Sequence, residues 1–131
     1  MVAAPLIRIG ASADLVDGGR GLRFDASVGD RAVTGFAVRH RGTVVGYLNQ
    51  CAHVAMELDW QPGMFFDSDG DVLMCATHGA LYEPASGRCT GGPCAGRGGL
   101  RRLQVIERDG AIYWQPDDVV RAPLSELRPA G

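Results

Sequence analysis

The spacing of its turn signals is what most restricts this chain. Glycine-centred clusters recur along it: "DGGRG" at 17–21, "RHRG" at 39–42, "DSDGD" at 67–71, "SGRCTGGPCAGRGG" at 86–99 and "RDG" at 108–110. The runs between them are short and rich in β-branched and aromatic residues, as strands are. "RAVTGFAVRH" and "TVVGYLN" flank Arg41-Gly42 and read as a hairpin. "GMFF" and "DVLMC" flank "DSDGD" and read as another, and "LRRLQVIE" and "AIYWQ" flank Asp109-Gly110, a dipeptide suited to a tight turn of positive φ. Many short strands with regular turns predict an all-β, antiparallel sandwich or barrel. Helix signals are confined to Ser12, placed to cap a turn through "ADLV", and to "DDVVRAPLSELR", broken by Pro123. No repeat or linker interrupts the chain, so residues 1–131 are read as one domain. The tail, about 116–131, leaves the strand pattern and is expected to wrap the surface or fray.

Charge and hydropathy exclude some functions. A formal net charge of −2 gives no general attraction to nucleic acid or anionic membrane. No run approaches the ~18 apolar residues of a membrane span. The start, "MVAAPLIRIG", lacks the basic and long apolar regions of a secretory signal. The expected location is the cytoplasm, where cysteines are more often metal ligands or free thiols than disulfides.

The chain has only four cysteines and three histidines, yet it sets out two mixed pairs: Cys51 with His53, and Cys75 with His78. The spacing is C-x-H, then 21 residues, then C-x2-H. A thiolate is a soft, charge-donating ligand and a neutral imidazole a borderline one. Two such pairs on neighbouring loops suit one tetrahedral metal. They equally suit a two-iron cluster with both thiolates on one iron and both imidazoles on the other. The second arrangement leaves the imidazole-bound iron with less negative charge, so that it accepts an electron more readily. Gly79 follows His78 where the backbone must turn beside a bulky group, and Gly91, Gly92 and Pro93 form a stiff loop with little side chain, suited to covering a cluster.

With "HG" at 78–79, "SG" at 86–87 and "GGP" at 91–93, this pattern resembles the Rieske [2Fe-2S] proteins. The resemblance covers about residues 46–95 and implies an antiparallel base carrying a small cluster-binding subdomain. It implies that Cys51 and Cys75 ligate one iron and His53 and His78 the other, with the histidines near the surface. It also places Tyr82 where respiratory-complex relatives keep a tyrosine that hydrogen-bonds a ligand sulfur.

The departures from that pattern are specific. Respiratory relatives carry an extra cysteine in each ligand loop, forming a disulfide; here the corresponding positions hold Val54, Ala55, Met56 and Thr77. They also have a membrane anchor, and a serine where this chain has Ala80, whose methyl group cannot donate to a sulfur. The chain therefore resembles the soluble Rieske-type ferredoxins more, with a potential expected in the lower half of the roughly −150 to +300 mV Rieske range. The resemblance implies a one-electron carrier, with a reductase as donor and a terminal oxygenase or related enzyme as acceptor. No general base or nucleophile can be read in the residues, so no catalytic residue is expected, and charge and hydropathy point to neither nucleic acid nor membrane as partner. An auxiliary subunit like the small subunit of a nitrite reductase is the alternative, and a Cys2His2 zinc module another, although zinc modules favour C-x2-C or C-x4-C pairs.

The remaining features have ordinary readings. "DSDGD" lacks the distant acidic ligand of a calcium loop and reads as a solvated turn. His40 reads as an exposed turn residue, Arg97, Arg101 and Arg102 as a solvated edge, and Trp60 and Trp114 as packing. Cys89 and Cys94 bracket "TGGP"; a short disulfide is geometrically conceivable, and a cytosolic setting favours two free thiols.

Overall fold

Three hairpins build the base of the fold among the described residues, and the two at Arg41-Gly42 and Asp109-Gly110 turn where the sequence expects. The computed structural model describes residues 5–51, 56–59, 61–76, 79–94 and 98–124. Strands β1 (Ile7–Ala11), β2 (Leu22–Val28), β3 (Arg31–His40) and β4 (Thr43–Leu48) come first. A small set follows: β5 (Leu73–Met74), β6 (Leu81–Tyr82) and β7 (Cys89–Gly91). The chain then returns through β8 (Arg102–Arg108), β9 (Ala111–Gln115) and β10 (Val120–Arg121). At the β8–β9 turn Asp109 and Gly110 both have positive φ, 54° and 78°, the conformation that matches the twist of a two-residue hairpin. Arg41 adopts φ 51° at the β3–β4 turn despite its side chain. Asp17 holds it there, its carboxylate accepting from the Arg41 amide at 3.0 Å and the Gly42 amide at 2.5 Å. The Gly42 amide is the main reason the Asp17 carboxyl lies below its usual range.

Seven strands form one antiparallel sheet in the order β1-β9-β8-β4-β3-β2-β10, and three form a second in the order β5-β6-β7. The large sheet curls. Ile9 of β1 and Leu22 of β2, far apart in its order, pack on the same buried group of Leu15, Ala37 and Ile112. Alternation along β3 and β4 then sends side chains to two cores. Phe36, Val38, Val45 and Tyr47 join the core beneath the small sheet, while Leu48, with Ala26, Leu103, Trp114 and Val120, fills the base. Trp114 is therefore core packing, as its sequence setting suggests. The Tyr47 hydroxyl crosses from the base to donate to the Pro84 carbonyl at 2.5 Å, fastening the two sheets together.

Three expectations need correction or refinement. Ser12 lies inside a 3₁₀ turn, Ser12–Asp14, with Ala11 at the cap position. The helical hint in "DDVVRAPLSELR" gives way over Val120–Arg121, which pair with Val28 and Ser27 of β2, so this part of the tail is an edge strand of the base. Val120 is fully buried there, and its apolar burial outweighs a weak helical preference. The "DSDGD" hairpin forms as a turn with little ladder: Phe66 bridges Leu73, and the Asp67 carboxylate accepts from the Asp71 amide at 3.0 Å. Residues 125–131 lie outside the described residues.

Candidate metal centre

Cys75 follows β5 directly and Cys51 comes three residues after the end of β4, beyond Asn49 and Gln50, so each sulfur is delivered just past the end of a strand. Both are buried, at 4% and 0% exposure, in the core cluster that also holds Leu58, Ala80, Tyr82, Cys89 and Cys94. His53 and His78, with Val54, Ala55, Trp60, Thr77 and Arg97, lie outside the described residues.

The backbone around each cysteine is closed locally. The Cys51 amide donates to the Met56 carbonyl at 2.7 Å, ending the first loop. In the second loop the Gly79 amide donates to the Cys75 carbonyl at 2.8 Å, and the Cys75 amide to the Ala80 carbonyl at 2.9 Å. That double closure needs the left-handed φ of 73° at Gly79, the tight turn the sequence implied. The Ala76 amide donates to the Leu58 carbonyl at 2.9 Å and so ties the second loop to the first.

A buried polar network braces the first loop, and sequence reasoning did not single it out. The Asn49 side chain accepts from the Leu58 amide and donates to Asp59 Oδ1, each at 2.9 Å. The other Asp59 oxygen accepts from the Gly63 amide at 2.9 Å and lies 3.4 Å from Arg23 Nε. Arg23 also pairs with Glu57 at 2.8 Å. A buried carboxylate is tolerated only when it is satisfied in this way. The available signal was Asn49 two residues before Cys51, and an acid, Asp59, flanked by Leu58 and Trp60.

Gly91 and Gly92 pack against the segment 79–81. A side-chain carbon at Gly92 would meet the Gly79 carbonyl oxygen at 2.6 Å and Ala80 Cα at 2.8 Å, so the loop presses on the second ligand loop by backbone alone. Pro93 falls in a 3₁₀ turn, Gly92–Cys94. Cys89 and Cys94 are joined by a disulfide, which corrects the expectation of two free thiols. Their Cα atoms are 5.9 Å apart, and burial at 1% and 6% slows the access of reductants to the bridge, an effect that compartment alone does not capture. Tyr82, fully buried, sets its hydroxyl 3.2 Å from the Cys51 sulfur and 3.8 Å from the Cys94 sulfur.

These residues fit a soft metal group. Two buried sulfur donors stand on loops tied to each other, a hydroxyl lies within bonding distance of one of them, and a glycine loop presses on the strap beside the other. His40 is partly exposed and stacks near Phe66, with ring centroids 6.0 Å apart. Arg101 pairs with Asp117 at 3.2 Å on the surface and Arg102 donates to the Ala85 carbonyl at 3.1 Å. Among the described residues no helix is long and apolar enough to cross a membrane.

Comparison with known proteins agrees with this geometry. No curated protein sequence matches the chain. Among solved structures, the Sphingomonas yanoikuyae B1 ferredoxin superposes with a TM-score of 0.64 at 20% identity, covering 86% of this chain and 100% of its own. The ferredoxin of carbazole 1,9a-dioxygenase from Nocardioides aromaticivorans IC177 gives 0.63 at 19%, covering 87% and 100%. The terminal oxygenase of that system, from the same organism, gives 0.67 at 20%, covering 96% of this chain but 34% of its own. At such identities the likeness establishes the fold. The sequence profile of the Rieske [2Fe-2S] domain matches residues 6–107. The chain thus belongs to the Rieske [2Fe-2S] domain family, and its cofactor is the [2Fe-2S] cluster of that family.

Proposed function

We propose that this protein is a one-electron carrier, with Cys51 and Cys75 on one iron of the cluster and His53 and His78 on the other. The observation that carries the reading is the setting of the two cysteines: both are buried, their loops are hydrogen-bonded together through Ala76 and Leu58, and Tyr82 approaches one of them. When bound, the cluster supplies a reversible one-electron couple. The chain's own residues keep water from the sulfurs, hold the two loops at a fixed separation and offer a hydrogen bond that stabilises added negative charge.

The partner classes follow from the same likeness. In one solved structure, described as a complex of reduced oxygenase and oxidized ferredoxin in carbazole 1,9a-dioxygenase, the matching chain covers 84% of this one and 92% of its own. We assign the chain the ferredoxin's place: it takes an electron from a reductase, passes it to a Rieske-type terminal oxygenase or related enzyme, and performs no catalysis itself. Residues 1–131 act as one domain, with about 46–95 as the cluster-binding part. Work in the cytoplasm, expected from the sequence, brings the chain into a reducing pool, which the burial of the Cys89–Cys94 bridge counters.

Stopped-flow mixing tests the role. The chemically reduced, cluster-loaded protein should be reoxidised by a Rieske-type terminal oxygenase at a rate that rises with oxygenase concentration. A reduced protein that keeps its electron in the presence of such acceptors, and is not reduced by a flavin reductase, would contradict it.

A further inference from the structure

Cys89 and Cys94 stand outside the proposed ligand set, yet their disulfide shares one core cluster with Cys51, Cys75 and Tyr82. Tyr82 and Cys89 are directly paired across β6 and β7. The Tyr82 hydroxyl lies between two sulfurs, 3.2 Å from Cys51 and 3.8 Å from Cys94. A disulfide sulfur carries no hydrogen, so between Cys94 and Tyr82 the hydroxyl is the only donor. The same bridge closes a loop of four residues, 90–93, and so fixes Gly92 where it touches Gly79 and Ala80. A covalent link of this length removes most of the loop's freedom to swing away.

We infer that the Cys89–Cys94 disulfide is a positioning element of the cluster site: it holds the Tyr82 hydroxyl on the Cys51 sulfur, and through that hydroxyl raises the potential of the cluster. The inference rests on the reading of Cys51 as a ligand. Reduction of the cluster places negative charge partly on its sulfurs. A donor held at fixed distance stabilises that charge more than a mobile one does. Opening the bridge consumes a dithiol: the dithiol is oxidised to its cyclic disulfide, the Cys89–Cys94 bond breaks, and each cysteine gains one hydrogen. Tyr82 then keeps its ring in the core and loses the covalently fixed neighbour that restrains its hydroxyl.

The test is protein-film voltammetry at pH 7 on four cluster-loaded proteins: the parent, C89A/C94A, Y82F and the combination of all three substitutions. C89A/C94A should be harder to reduce by about threefold in the one-electron equilibrium constant, or about 28 mV at ~59 mV per tenfold. Y82F should fall at least as far, and the combination should match Y82F. Parent protein opened with excess dithiothreitol, verified by a mass gain of two hydrogens, should fall like C89A/C94A and recover on reoxidation. The inference is overturned if C89A/C94A keeps the parent potential. It is equally overturned if the combination falls below Y82F by as much as C89A/C94A falls below the parent, since the bridge then acts without Tyr82. Should C89A/C94A fail to hold its cluster, dithiothreitol treatment of the parent and of Y82F makes the same comparison. Failure of the ligand reading shows elsewhere, as a C51A protein that retains the paramagnetic signal of the intact cluster.

Discussion

The Tyr82 hydroxyl lies 3.2 Å from the Cys51 sulfur, in a core from which both residues are almost wholly shielded from water. A hydrogen bond to a charged group contributes about 1.5–3 kcal/mol, but only the part that differs between oxidation states moves a potential. Tyr82→Phe should therefore lower the potential by on the order of 50 mV, ~59 mV being a tenfold change for one electron. Voltammetry of the two proteins at pH 7 checks this. An unchanged potential would make Tyr82 a packing residue.

Gly92→Ala should loosen the site without touching a ligand. The added carbon would lie 2.6 Å from the Gly79 oxygen, on a backbone of φ 76° that side chains rarely adopt. Strain of this kind costs about 1–3 kcal/mol, and relief requires the loop to lift from Gly79 and Ala80. Bleaching of the visible absorption under an iron chelator should be several-fold faster than in the parent. Equal bleaching rates would show that the loop does not hold the second strap.

Asn49→Ala tests the brace on the first loop. It removes the acceptor of the Leu58 amide and one donor to Asp59, both at buried positions. Each buried group left unsatisfied costs ~1–3 kcal/mol, so a loss of about 2–4 kcal/mol is expected in urea unfolding. A loss below about 1 kcal/mol would mean that Asp59 and Leu58 find other partners.

The strands were legible where turns are chemically marked. Asp109-Gly110 fixed a hairpin because positive φ is written in those residue types; at Arg41-Gly42 the glycine alone carries that signal, and Arg41 takes φ 51° because Asp17 accepts from both amides. Val120–Arg121 was not legible as strand: two residues carry no period, and what decides them is the burial of Val120 against the base. The site divides in the same way. Cys51 and Cys75 stood out by spacing, Gly79 by what a backbone turn requires and Gly92 by its place in a loop with little side chain. Asn49 and Asp59 did not, since their role comes from contacts with Leu58, Gly63 and Arg23 that no local pattern encodes. The Cys89–Cys94 bridge was misjudged because compartment was weighed before burial.

Acid should weaken the base of the fold in part through the Arg39–Glu107 ion pair. Arg39 donates to both oxygens of Glu107, at 3.0 and 2.5 Å, and to the Leu15 carbonyl at 2.8 Å. The Arg39 guanidinium lowers the Glu107 carboxyl from 4.5 to about 2. A depressed carboxyl stabilises the fold fully above its unfolded value, and that contribution fades as pH falls through the folded one. Thermal unfolding of the parent should thus lose stability between about pH 4.5 and 2, and Glu107→Gln should flatten this part of the profile. Superimposable profiles would show that the pair contributes nothing.

The central claim is that buried Cys51 and Cys75 share a two-iron cluster with His53 and His78, and electron paramagnetic resonance of the dithionite-reduced protein tests it most directly. Protein expressed with ample iron should contain two irons and two sulfides per chain, be brown-red, and give on reduction the low average g-value of mixed nitrogen and sulfur ligation. Colourless protein holding one zinc per chain, or a signal of all-sulfur ligation, would contradict the account.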